Sequence, residues 1–114
     1  ICAGIKRQEL DENDTLEAIS SMKRINNVVD YLPEDLIAGI HAATDVTGFG
    51  LAGHGHQLAK ASGVSLRIKH TSLPLFDKTY ACLEKGLLTK AHRINEEYTK
   101  SFISFSESIS ALEK

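Results

Sequence analysis

Thr44-Asp45-Val46-Thr47-Gly48-Phe49-Gly50-Leu51-Ala52-Gly53-His54 is the stretch on which the reading of this chain turns. A lone carboxylate, Asp45, falls near the end of an apolar run over Ile40 to Val46, with hydroxyls beside it at Thr44 and Thr47. Gly48, Gly50 and Gly53 follow, and small and apolar residues then continue at helical spacing to Ser62, with Gly63 placed as a C-terminal cap. A strand that ends in an acid and turns through glycines into a helix can hold phosphate through a metal ion. The helix N-terminus offers free N–H groups and the positive end of the dipole. Glycines let the backbone come close to a ligand. A carboxylate repels bare phosphate, so its partner is a hard cation such as Mg²⁺, which takes one or two carboxylates plus substrate phosphates. The same order of residues also serves a purely structural turn, in which the glycines answer only to the turn and to close helix packing. It is not a Walker loop, because no Gly-Lys-Ser/Thr follows. Gly48, Gly50 and Gly53 do space as G-x-G-x-x-G, but an acid opens the motif and no ribose-binding acid follows about 20 residues on.

The eleven residues closely resemble the signature that opens the C-terminal domain core of the selenophosphate synthetase family. The likeness runs upstream, through Glu17-Ala18-Ile19 to Asn26-Asn27, and downstream, through Leu58 to Val64 and Leu73-Pro74, so that it covers nearly the whole chain. Other members of the superfamily, such as aminoimidazole ribonucleotide synthetase and thiamine-phosphate kinase, have a different glycine pattern here. The resemblance implies an ATP-dependent phosphotransferase that makes selenophosphate, AMP and phosphate from ATP, selenide and water. Asp45 would hold Mg²⁺ against the ATP phosphates, and Thr44, Thr47, Gly48 and Gly50 would shape the phosphate side of the site. Phosphoryl transfer needs charge neutralisation and positioning more than covalent chemistry. The resemblance places the catalytic Cys and Lys and most of the metal-binding acids in an N-terminal domain, so no catalytic residue is assigned in this chain. It further implies a homodimer. Two alternatives stand beside it: another ATP-dependent small-molecule kinase or ligase of the superfamily, and a non-catalytic binding or dimerisation domain.

The bulk composition agrees with one small globular unit. The 114 residues suit a single domain, and 42% apolar with 25% charged residues is ordinary for a soluble protein. A net charge of −2 leaves no electrostatic footprint for nucleic acid. No stretch reaches the roughly 18 apolar residues of a membrane span, and no signal peptide opens the chain, which points to the cytoplasm. Ile1 in place of Met suggests a piece of a longer protein, and the isolated chain is not expected to be active. Cys2 and Cys82 lie far apart without ligand spacing; core packing is expected of Cys82, and no family role transfers to Cys2.

Residues 1–12 read as a strand end or linker from a preceding domain, and 13–114 as the C-terminal domain, cut short before a Pro-Gln-Thr-Ser-Gly-Gly run of the family. Asp14 with Glu17 forms a capping-box pattern for an amphipathic helix of about 17 residues, whose stripe Leu16, Ile19, Met22, Ile25 and Val29 is expected in the core. Pro33 ends it. Strands are expected over Ile40 to Val46, where His41 reads as structural, over Val64 to Lys69, where apolar and polar residues alternate, and over Phe102 to Phe105. A helix is marked by Phe76, Tyr80, Leu83 and Leu87, a polar irregular stretch by residues 88–100, and a final helix by Ser106, Ile109 and Leu112. His54 and His56 fall on different faces and make a poor metal pair. Thr89 to Arg93 stands where the family has a glycine-rich stretch. The fold class expected is α+β, α/β layers with a mixed sheet covered by helices, like the C-terminal domain of aminoimidazole ribonucleotide synthetase.

Overall fold

The computed structural model describes all residues, 1–114, as an assembly of helices and connecting segments. Six helices follow in order: α1 (Cys2–Lys6), α2 (Glu12–Lys23), α3 (Glu34–Ala38), α4 (Gly50–Ser62), α5 (Thr79–Glu84) and α6 (Lys90–Thr99). Short 3-10 turns cover Val28–Tyr31 and His70–Ser72.

The expected mixed sheet is absent: no residue is in a strand. Residues 41–46 and 65–69 make no backbone hydrogen bond as donors, and beyond Ile103 the third expected strand makes none either. Alternating apolar residues favour an extended backbone, but a sheet also needs a second extended segment alongside to take the N–H and C=O groups. No backbone ladder joins these three segments. Val64, Leu66 and Ile68, the expected buried side of one strand, are 62, 52 and 42% exposed. Cys2–Lys6, read as a strand end or linker, is helical instead.

Local signals fared better where both partners lie close in sequence. The cap of α2 lies three residues before the expected one: it is Asp11, which accepts from the Asp14 amide at 2.8 Å. It closes at Lys23, and Pro33 begins α3 rather than ending α2. Its inward face is Thr15 and Ala18, with the Thr15 hydroxyl donating to the Glu12 carbonyl, while Leu16, Met22, Ile25 and Val29 lie exposed, against expectation. α4 matches its expected span within a residue. It stops at Gly63, whose φ of +66° lets the Gly63 and Val64 amides turn back onto the carbonyls of Lys60 and Ala59. The expected helix at Ser106 does not form. The Ser110 amide and hydroxyl both donate to Glu113, at 3.0 and 2.6 Å, and this local turn competes with helical bonding. Residues 90–99, expected to be irregular, form α6.

Besides Thr15 and Ala18 on α2, burial gathers in two places. Ala3, Cys82 and Leu87 form a small cluster where α1 meets the end of α5, joined by Ile1 and Leu10. α4 packs on α6. Between them, α2 is tied to the segment before α5 by an ion pair, Asp14 to Lys78 at 3.1 Å, and by the Asp77 amide donating to Glu17. The Asp14 carboxylate, through its hydrogen bond and then its charge, raises the Lys78 pKa above its ordinary value. The molecule is open. Its surface of 9501 Å² compares with about 6,200 Å² for a compact protein of the same mass, and its radius of gyration of 16.1 Å with about 13 Å.

Candidate functional site

The signature straddles the start of α4. Thr44 and Asp45 lie in the extended segment before it and are both exposed. The Thr44 hydroxyl donates to the Asp45 main-chain carbonyl at 3.0 Å, and the Asp45 carboxylate itself has no partner in the chain. The Gly50 amide bonds to the Thr47 carbonyl at 3.0 Å and closes a turn over Gly48 and Phe49. Gly50 sits at φ +69°, a conformation that side chains with a Cβ resist. One helical turn further, His54 reaches back: its Nε2 lies 2.9 Å from the Thr47 hydroxyl oxygen. The histidine thus staples the turn to the helix that follows. The Phe49 ring, 6.0 Å from the imidazole and edge-on to it, packs over the same corner.

The glycines divide by role. Nothing in the chain lies within 4 Å of where a Cβ would stand on Gly48, so room at that position serves no packing inside the chain. Gly53 and Gly55 are the tightly packed ones. A Cβ on Gly53 would stand 2.9 Å from the Phe49 Cβ, and one on Gly55 would stand 3.0 Å from Leu66. The small side of α4 therefore meets side chains of neighbouring segments.

The first-turn amides of a helix find no carbonyl within it. Those of Leu51 and Ala52 take no partner from elsewhere in the chain, and neither does the amide of Phe49. The corner therefore offers several unpaired N–H groups at the positive end of α4, within a few residues of a free carboxylate. No three His, Cys, Asp or Glu side chains gather as a metal cluster. Asp45 suits a single Mg²⁺ ligand, the remainder of the shell being water, phosphate or groups from elsewhere. His41 is exposed, and His56 stacks on Phe102 with ring centroids 3.5 Å apart, a packing role.

α6 supplies what the sequence reading missed. Asn95 donates from Nδ2 to the Gly48 carbonyl at 2.8 Å, and Tyr98 packs on Phe49 with ring centroids 6.0 Å apart. Tyr98 also takes a hydrogen bond from Gln57 and sits edge-on to Phe102. Asn95, Tyr98, Thr99 and Phe102 recur at helical spacing, which can mark one helix face in the sequence but not what that face meets. A cavity of about 640 Å³ opens between α4 and α6, with Gly50, Leu51, His92, Asn95 and Lys100 in its wall. A larger hollow, about 850 Å³, follows α6 and touches none of the eleven signature residues.

The family described as AIR synthase related protein, C-terminal domain, matches residues 2–108. The chain belongs to that family. Within it, the chain is 58% identical over 103 residues to a selenide, water dikinase of Nitrosomonas eutropha and 60% identical over 104 residues to one of Bdellovibrio bacteriovorus. These alignments cover 90 and 91% of this chain. A selenide, water dikinase of Pseudomonas straminea is 31% identical over all 114 residues. The chain spans about 30% of the length of each of these relatives. No solved structure matches it. No helix is long and apolar enough to cross a membrane.

Proposed function

We propose that this chain works as the C-terminal-domain part of a selenide, water dikinase, within which it helps to bind the phosphates of ATP while selenide is converted to selenophosphate. The likeness to two such dikinases over nine-tenths of the chain carries this reading. The site supports it with chemistry of the right kind: a free carboxylate, a glycine turn and unpaired amides at a helix N-terminus. In this reading residues 13–114 are the domain, residues 1–12 lead into it from an N-terminal domain, and the enzyme is a cytoplasmic homodimer.

Bound Mg²⁺ would neutralise phosphate charge, with Asp45 as one of its ligands. Thr44 and Thr47 lie on either side of that carboxylate. The turn at Gly48 and Gly50 brings main chain, without side-chain bulk, to the phosphate side. Selenide handling falls to residues outside this chain.

The test replaces Asp45 by Asn in the full-length enzyme. Selenide-dependent AMP formation should fall by at least about a hundredfold, the loss expected when charge stabilisation of a transition state is removed, with the melting temperature preserved. Wild-type turnover by this variant at limiting Mg²⁺ would remove Asp45 from the site.

A further inference from the structure

We infer that Asn95 is a positioning residue for the phosphate-facing turn, holding the Gly48–Phe49 peptide in the one orientation that presents the Phe49 amide to an anionic oxygen. The inference rests on the phosphate-binding reading of that turn and extends it to a helix outside the signature.

Three observations carry it. The first is that Asn95 makes the only side-chain hydrogen bond that reaches the eleven signature residues from another element, Nδ2 to the Gly48 carbonyl at 2.8 Å. The second is the planarity of the trans peptide, in which C=O and the following N–H point to opposite sides. A Gly48 carbonyl drawn toward α6 therefore turns the Phe49 N–H away from α6. That N–H has no partner in the chain, and Gly48 and Phe49 are both exposed. The third is that Asn95 is the one side chain that hydrogen-bonds the middle of this turn: the Gly50–Thr47 bond closes it at its ends, and Gly48 has no Cβ and no neighbour near where one would be to restrain its backbone.

Asn95 is itself held in place. It shares a face of α6 with Tyr98 and Thr99, three and four residues on. Tyr98 is fixed against Phe49 and Gln57, and buried Thr99 donates its hydroxyl to the Asn95 carbonyl at 2.8 Å. Asn95 is half-buried in the wall of the cavity beside Gly50. The carboxamide donor thus comes from a rigid helix, while the group it holds lies in a turn.

The experiment uses the full-length enzyme with Asn95→Ala and Asn95→Asp. Calorimetric titration with Mg·ATP, melting temperature and selenide-dependent AMP formation are measured for each. Asn95→Ala should weaken Mg·ATP binding about five- to tenfold, the loss of one hydrogen bond's ordering effect, with kcat changed less than KM and the melting temperature unchanged. Asn95→Asp keeps the shape, removes the donor and sets a carboxylate against the Gly48 carbonyl, so it should bind more weakly than Asn95→Ala. Unchanged Mg·ATP affinity in Asn95→Ala overturns the inference, and so does an affinity loss that merely follows a fall in melting temperature. A wild type that binds Mg·ATP but forms no AMP with selenide overturns the dikinase reading. The positioning role would then still be decided by the titrations.

Discussion

Gly48 and Gly50 stand two residues apart and obey different constraints. Gly50 is held at φ +69°, where a Cβ is strained whatever the space around it. Gly48 is free of that constraint and of any neighbour. Gly50→Ala should therefore lower stability by about 1 kcal/mol, the usual cost of a left-handed conformation for a residue with a Cβ, and Gly48→Ala should leave it nearly unchanged. Thermal unfolding of the two variants side by side is the check, and equal shifts would contradict the distinction. A Gly48→Ala variant that melts normally yet binds Mg·ATP poorly would mean that the open space at Gly48 belongs to the ligand. At this scale the sequence was informative because the signature is local: acid, hydroxyls and glycines sit within eleven consecutive residues. The His54–Thr47 contact also spans only seven residues. Asn95 was not legible, since 47 residues separate it from the carbonyl it holds and nothing in its neighbours names that partner.

Among the elements, the helix ends were legible and the strands were not, for one physical reason. The Gly63 stop is written in the residues beside it, whereas strand pairing depends on where a distant segment goes. Val64 to Lys69 has the alternation of a strand and no second strand to meet. The same competition between local and distant bonding decides the last residues. Glu113 accepts from the Ser110 hydroxyl and amide, and also from His70 at 3.1 Å and from the Tyr80 hydroxyl at 3.4 Å, tying the C-terminal turn to the segment before α5 and to α5 itself. The Ser110 hydroxyl, then its amide, and then His70 lower the Glu113 pKa from 4.5 to about 2. A carboxyl whose folded pKa lies below its unfolded value stabilises the fold above the unfolded value, and that contribution is lost as pH falls toward the folded one. The melting-temperature gap between wild type and Glu113→Gln should accordingly be full above pH 4.5 and narrow as the pH drops toward 2. A gap that stays constant across that window would mean that the clamp does not hold the turn.

For the molecule as a whole, the sequence pointed to a family and a domain, and both the family match and the relatives agree with that. It did not foresee how little of the chain is enclosed. Leu16, Met22, Ile25, Val28 and Val29 carry the composition of a buried stripe and lie at the surface. A stripe becomes a core only when another layer covers it, and sequence periodicity says nothing about the covering layer. The open surface has a calorimetric consequence. An unfolded chain of 12.5 kDa exposes about 18,000 Å², so folding to 9501 Å² hides only about half of it, against roughly two-thirds for compact domains of this size. The heat-capacity increase on unfolding scales with newly exposed apolar area and should fall below the roughly 1.4–1.7 kcal/mol/K usual for 114 residues. Scanning calorimetry of this chain should show a broad, low endotherm; a sharp one with the full heat-capacity step would contradict the open packing. A small heat-capacity step also flattens the stability curve, so the free energy of this domain should vary little with temperature on either side of its maximum, and cold should unsettle it no more than mild warmth.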